Sequence, residues 1–75
     1  MRFLELNVML KNSKETLALI ELKEGIICNG KISQVDEFFN ILVTNVIVTS
    51  KNGSYFKKLD HFYIRGRNIK LLRFS

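Results

Sequence analysis

The sequence predicts an all-β fold, a short N-terminal helix followed by five antiparallel strands curled into a strongly bent SH3-like or OB-like barrel. Three observations predict it. Runs rich in β-branched and apolar residues alternate with Gly, Asn and Asp turn signals; five such runs fit within 75 residues; and the middle runs exceed the usual length of about five or six residues, so they must bend rather than lie flat.

Residues 2–11 carry Phe3, Leu4, Leu6, Val8, Met9 and Leu10, a spacing that suits a short helix with one greasy side. A helix below about 12 residues is marginal alone, so this one is expected to lie across an open end of the sheet. Asn12-Ser13 ends it, and the first strand follows over 16–22. Lys23-Glu24-Gly25 is a turn in which Gly25 is free to take a positive φ. The second strand covers 26–35 and is interrupted at Asn29-Gly30, where a glycine marks a sharp bend or a close backbone approach. After the corner Asp36-Glu37-Phe38-Phe39-Asn40 the third strand takes 40–50. Asn52-Gly53 is the strongest short hairpin signal. A fourth strand over 55–64 and a fifth over 68–74 are separated only by Arg65-Gly66-Arg67.

Composition narrows the chemistry. The chain reads as one domain over residues 1–75, small enough to bury only roughly 60% of its unfolded surface. A single cysteine, Cys28, excludes an internal disulfide, and with His61 as the only histidine a structural zinc site lacks ligands. No metal or other cofactor is expected. His61 has no Ser, Cys or second His spaced as a catalytic partner, and no glycine loop cradles phosphate, so enzymatic activity is not expected. Neither a transmembrane run of about 18 apolar residues nor a signal-peptide pattern is found, which makes an intracellular location, without membrane contact, the expectation.

The net charge of +5 is unevenly placed. Lys51, Lys57, Lys58, Arg65, Arg67, Lys70 and Arg73 face Asp60 alone in the last third, whereas five basic and six acidic residues precede Lys51. A polyanion, nucleic acid above all, is the natural partner.

Two corners carry the functional signal. Neighbouring side chains on extended backbone point to opposite sides, so if Phe39 turns inward, Phe38 turns outward between Asp36 and Asn40. An exposed ring flanked by an acid and an amide can stack a nucleobase and bond its edge. The plainer reading has both rings in the core with the polar groups capping the turn. At the second corner Arg65 supplies a planar guanidinium that stacks on bases, and Gly66 leaves room for a ligand; the plainer reading is a hairpin turn with a solvated arginine. A barrel can bring both corners to one end.

These residues resemble the Sm and Sm-like (LSm) family. Its first motif is similar to the stretch from Ile20 to Val48, with Gly30 at the bend, Asp36, the aromatic Phe38 and then Asn40; its second resembles Tyr63-Ile64-Arg65-Gly66-Arg67-Asn68-Ile69. Phe39 stands where Met or Leu is commoner, Arg67 where small residues are usual, and no Gly/Arg-rich tail lies within residues 1–75. The runs Thr49-Ser50-Lys51-Asn52-Gly53 and Ile69-Lys70-Leu71-Leu72-Arg73 resemble most the branch of the family that supplies the fourth subunit of eukaryotic heteroheptameric rings. The resemblance implies an Sm fold that assembles into a ring, strand four of one subunit pairing with strand five of the next, with RNA inside the hole. It implies that Phe38 and Arg65 sandwich a base, Asn40 bonds its edge, Asp36 orients the pocket and Gly66 shapes the second loop. The expected function is an RNA-binding subunit holding uridine-rich single-stranded RNA, in pre-mRNA splicing with U6 RNA or in mRNA decay, in nucleus or cytoplasm. The alternative is a ring scaffold acting through protein contacts.

Overall fold

The computed structural model describes residues 2, 4, 5, 8 and 16–74. The helix expected over 2–11 falls on a stretch of which only Arg2, Leu4, Glu5 and Val8 are described, and it therefore lies outside the described residues. Over the rest the chain is all-β: β1 (Leu17–Leu22), β2 (Ile26–Val35), β3 (Ile41–Ser50), β4 (Phe56–Ile64) and β5 (Ile69–Phe74), with one 3-10 turn at Gly66–Asn68. All pairings are antiparallel in a single sheet of order β4-β3-β2-β1-β5.

The bend comes from a pairing of glycine with a bulge. Asn29 faces Ile47 and Lys31 faces Thr44, so Gly30 meets the two residues Asn45 and Val46. A Cβ on Gly30 would lie 2.8 Å from Val43 Cγ1 and 3.0 Å from the Thr44 carbonyl oxygen, closer than side chains tolerate, so only glycine lets the strands fold onto each other here. Asn45 takes φ 51, a left-handed conformation asparagine accepts more readily than most residues. The burial pattern shows the effect. Ile41 and Val43 are buried two residues apart, then Val46 and Val48, a step of three across the bulge that turns the strand while keeping apolar side chains on the core side. Contrary to the sequence expectation of an interruption, β2 runs unbroken through Asn29-Gly30, because the bend is absorbed by the bulge on its partner.

The core is closed by Ala18, Ile20 and Leu22 of β1, by Cys28 and Ile32 of β2, and by Ile64 at the end of β4. Cys28 is fully buried, and burial, with a smaller push from Glu24, raises its thiol to about 11. It acts as a small apolar residue. Glu21, on the other face of β1, is clasped by Lys51 and Lys70, each with its Nζ 3.3 Å from a carboxylate oxygen. Desolvation pushes its carboxyl up, yet the two ammonium groups outweigh it and hold the group below the usual carboxylate range.

Two connections differ from a simple hairpin reading. Asn52-Gly53 sits in a longer loop over 51–55, because the Asn52 Oδ1 accepts bonds from Ser50 Oγ (2.7 Å), Ser54 N (3.1 Å) and Ser54 Oγ (2.7 Å) and builds a turn of its own. Gly53 closes that turn at φ 75. β4 and β5 do not form a hairpin. The 3-10 turn carries the chain across, Lys23 N donates to the Asn68 carbonyl at 2.9 Å, and β5 pairs with the free edge of β1, Leu71 opposite Glu21 and Leu72 opposite Ile20. Among the described residues β4 and β5 are left as the two edges of the sheet.

Candidate nucleic-acid interface

The β2–β3 corner is knotted around one carboxylate. Asp36 Oδ1 accepts from Phe38 N (2.9 Å) and Asn40 N (3.0 Å), and Oδ2 accepts from Asn40 Nδ2 (2.9 Å). The backbone adds Asp36 N to the Asn40 carbonyl at 3.1 Å and Phe39 N to the Asp36 carbonyl at 3.0 Å. An aspartate that bonds the amides two and four residues on fixes a turn in place of glycine or proline. The Asn40 amide, helped by the backbone N–H groups of Asn40 and Phe38, holds its carboxyl below the ordinary value against the opposing effect of partial burial.

The tightness of this turn separates the two rings. Phe39 takes φ 61, a left-handed conformation that costs a non-glycine residue on the order of 1–3 kcal/mol, and packs against the core. Phe38 stands 74% exposed. A phenyl ring left in water without a packing role is surface available to a ligand.

Asn40 joins this corner to the next. Its Oδ1 accepts from Gly66 N at 2.9 Å, so the amide bridges Asp36 on one side and the β4–β5 connection on the other. One amide N–H stays uncommitted. Gly66 lies so close to the corner that a Cβ there would overlap the Phe38 carbonyl oxygen; only glycine fits. Arg65, just before it, has extended backbone (φ -76, ψ 133) and an exposed side chain.

The result is a groove of about 840 Å³ whose walls include Phe38, Asn40, Arg65 and Gly66. Four of the five residues singled out in the sequence thus line one depression, and the fifth, Asp36, fastens its wall from behind. The sequence reading missed its floor. Arg67, Ile69, Lys70 and Leu72 line the groove as well, because β5 leaves the 3-10 turn directly beneath the corner; the apolar content of β5 was visible, its crossing to β1 was not. His61 lies on β4 away from the groove, and no cluster of three metal-ligating residues exists among the described residues.

The family model for the LSM domain matches residues 8–74. The chain belongs to the LSM-domain family. Relatives agree with this assignment: the "Probable U6 snRNA-associated Sm-like protein LSm4" of Caenorhabditis elegans is 42% identical over 65 residues, covering 87% of this chain and 53% of that protein. The "U6 snRNA-associated Sm-like protein LSm4" of Homo sapiens is 40% identical over 65 residues, covering 87% and 47%. This LSM-domain chain spans about half the length of the relatives it matches. Its fold is that of solved Sm proteins. The Pyrococcus abyssii Sm protein in complex with a uridine heptamer superposes with TM-score 0.79 at 21% identity over 100% of both chains, and a heptameric archaeal Sm protein with 0.73 at 18%, covering 91% of this chain and 97% of that one. A chain of the NatC complex bound to CoA shares the fold as well, with TM-score 0.71 at 22% identity over 79% of this chain and 74% of that one. The bent five-stranded antiparallel sheet is therefore the Sm fold.

Proposed function

We propose that residues 1–75 are one Sm-like domain, a non-enzymatic subunit of a ring of Sm-like chains that holds uridine-rich single-stranded RNA. One observation carries the reading: the exposed ring of Phe38 and the exposed guanidinium of Arg65 are held at one groove by the Asn40–Gly66 hydrogen bond. A flat base slots between ring and guanidinium, both of which stack on any base. The spare N–H of Asn40 then donates to a carbonyl oxygen on the base edge, and Asp36 keeps that amide oriented. The seven basic residues from Lys51 onward draw the phosphate backbone in without choosing sequence.

The ring part of the reading rests on the unpaired edges. Each of β4 and β5 presents a row of backbone groups that seek a partner strand, and an antiparallel addition of the next subunit's β5 to β4 satisfies both. Edge strands are commonly blocked by proline, and this sequence has no proline. The proposed ring is heteroheptameric and acts in splicing or mRNA decay, in the nucleus or the cytoplasm; relatives named for association with U6 snRNA support the link to U6 RNA. Among the described residues no helix is long and apolar enough to cross a membrane.

A scaffold role is the second reading, in which the open edges of β4 and β5 serve protein contacts and the groove touches RNA little. The two are separated by native mass of the full chain, alone and mixed with other Sm-like subunits, followed by anisotropy with a labelled uridine heptamer. A ring that binds the heptamer supports the first reading; a ring that ignores it leaves the scaffold.

A further inference from the structure

The register sets a row of side chains on the outside of β4 that the base groove does not use. Across the β3–β4 ladder Phe56 faces Thr49, Lys58 faces Ile47, His61 faces Thr44 and Tyr63 faces Leu42. Those β3 residues alternate with the buried Ile41, Val43, Val46 and Val48, so the row points away from the core. All four β4 side chains are exposed, Phe56 at 66% and Tyr63 at 59%.

We propose that the row Phe56, Lys58, His61 and Tyr63 is a second contact surface for single-stranded RNA, distinct from the Phe38–Arg65 groove. This inference rests on the RNA-binding reading above but on different residues. Rings at both ends with a lysine and an imidazole between them offer stacking faces beside a phosphate partner, the equipment of sequence-tolerant single-strand binding. Asp60 is the strand's one carboxylate against Lys57 and Lys58. The charge thus complements a polyanion, whereas a purely apolar partner would have to desolvate the lysine and the histidine. Position supports the same occupant. Tyr63 precedes Arg65 by two residues, so a strand leaving the groove meets this row at once and follows it for roughly 20 Å of extended backbone. A neighbouring subunit that adds a strand to β4 uses its edge groups and leaves the outward face open.

The test uses the assembled full chain with two probes, a uridine heptamer and a single-stranded RNA several times longer, over a range of salt. Phe56→Ala should weaken the long RNA about fivefold or more and leave the heptamer unchanged, and Lys58→Gln should lower the salt dependence of long-RNA binding by about 0.7 in log–log slope. Phe38→Ala is the control for the groove and should weaken both. If Phe56→Ala and Lys58→Gln bind the long RNA as the parent does, with the same salt slope, the row is not an RNA surface even though the groove stands. A drop in native mass on Phe56→Ala would likewise overturn the proposal by making the row a subunit contact. Should the parent ignore the heptamer while Phe56→Ala still weakens the long RNA, the groove reading fails and the outer row remains.

Discussion

Asp36 and Asn40 answer to different substitutions than Phe38 does, because they are bonded into the fold and it is not. With a carboxyl held below its ordinary value, Asp36 binds fewer protons folded than unfolded just below the usual aspartate value of about 3.9. Stability from this group is therefore fully present above that value and is lost as pH falls through the folded one. Urea unfolding as a function of pH should show a shallower acid limb for Asp36→Asn than for the parent, and parallel limbs would contradict the assignment. Cys28 titrates in the opposite direction. Its thiol is raised from 9.0 to about 11, so the folded chain binds more protons in that window and stability falls as pH rises through it; Cys28→Ala should remove that alkaline loss, and the native thiol should resist alkylation at neutral pH. Asn40→Ala leaves Gly66 N without its acceptor, which costs about 1–3 kcal/mol where the group is shielded from water. Thermal unfolding should then detect Asn40→Ala and hardly notice Phe38→Ala, whose ring is 74% exposed.

The glycines separate bend from turn at the scale of elements. Gly30→Ala drives a methyl group into Val43 Cγ1 and the Thr44 carbonyl at the β2–β3 crossing and should cost about 1–3 kcal/mol by overpacking. Gly25→Ala meets nothing within 4 Å and strains only its φ of 85, a loss of about 1 kcal/mol, at the low end of what a left-handed conformation costs a residue with a Cβ. Chemical denaturation of both variants orders them, and an equal or reversed ranking would mean that the bend does not depend on Gly30. That bend was legible because a glycine weakens a strand unless a bulge or a closely approaching backbone needs it there. Alternation offered an outward Phe38 as one of two readings, and what decides against both rings lying in the core is the tight turn with Phe39 at φ 61. The connection between β4 and β5 was not legible. Three residues between two apolar runs read locally as a hairpin, yet the choice between pairing with β4 and crossing to β1 is made by Asn40, Lys23 and the edge of β1, far away in sequence. The same distance hid Ile69, Lys70 and Leu72 as walls of the groove. At Asn52-Gly53 the signal was local but incomplete, since the serines on either side recruit Asn52 into a longer turn.

For the whole molecule the proposed assembly ties the open edges to the groove: small barrels joined side by side through β4 and β5 would present one Phe38–Arg65 groove per subunit. A proline replacing Lys70, on an edge strand, should disrupt assembly before it unfolds the barrel, seen as a lower native mass with a β-rich circular dichroism spectrum retained. The central claim is that a base lies between Phe38 and Arg65, and the most direct measurement is the affinity of the assembled complex for oligouridine with and without the ring. Phe38→Ala should lower that affinity about five- to hundredfold, the worth of stacking one base at roughly 1 to 3 kcal/mol, while native mass and unfolding stay those of the parent. Binding equal to the parent's, by a Phe38→Ala complex of unchanged mass and stability, would contradict the claim.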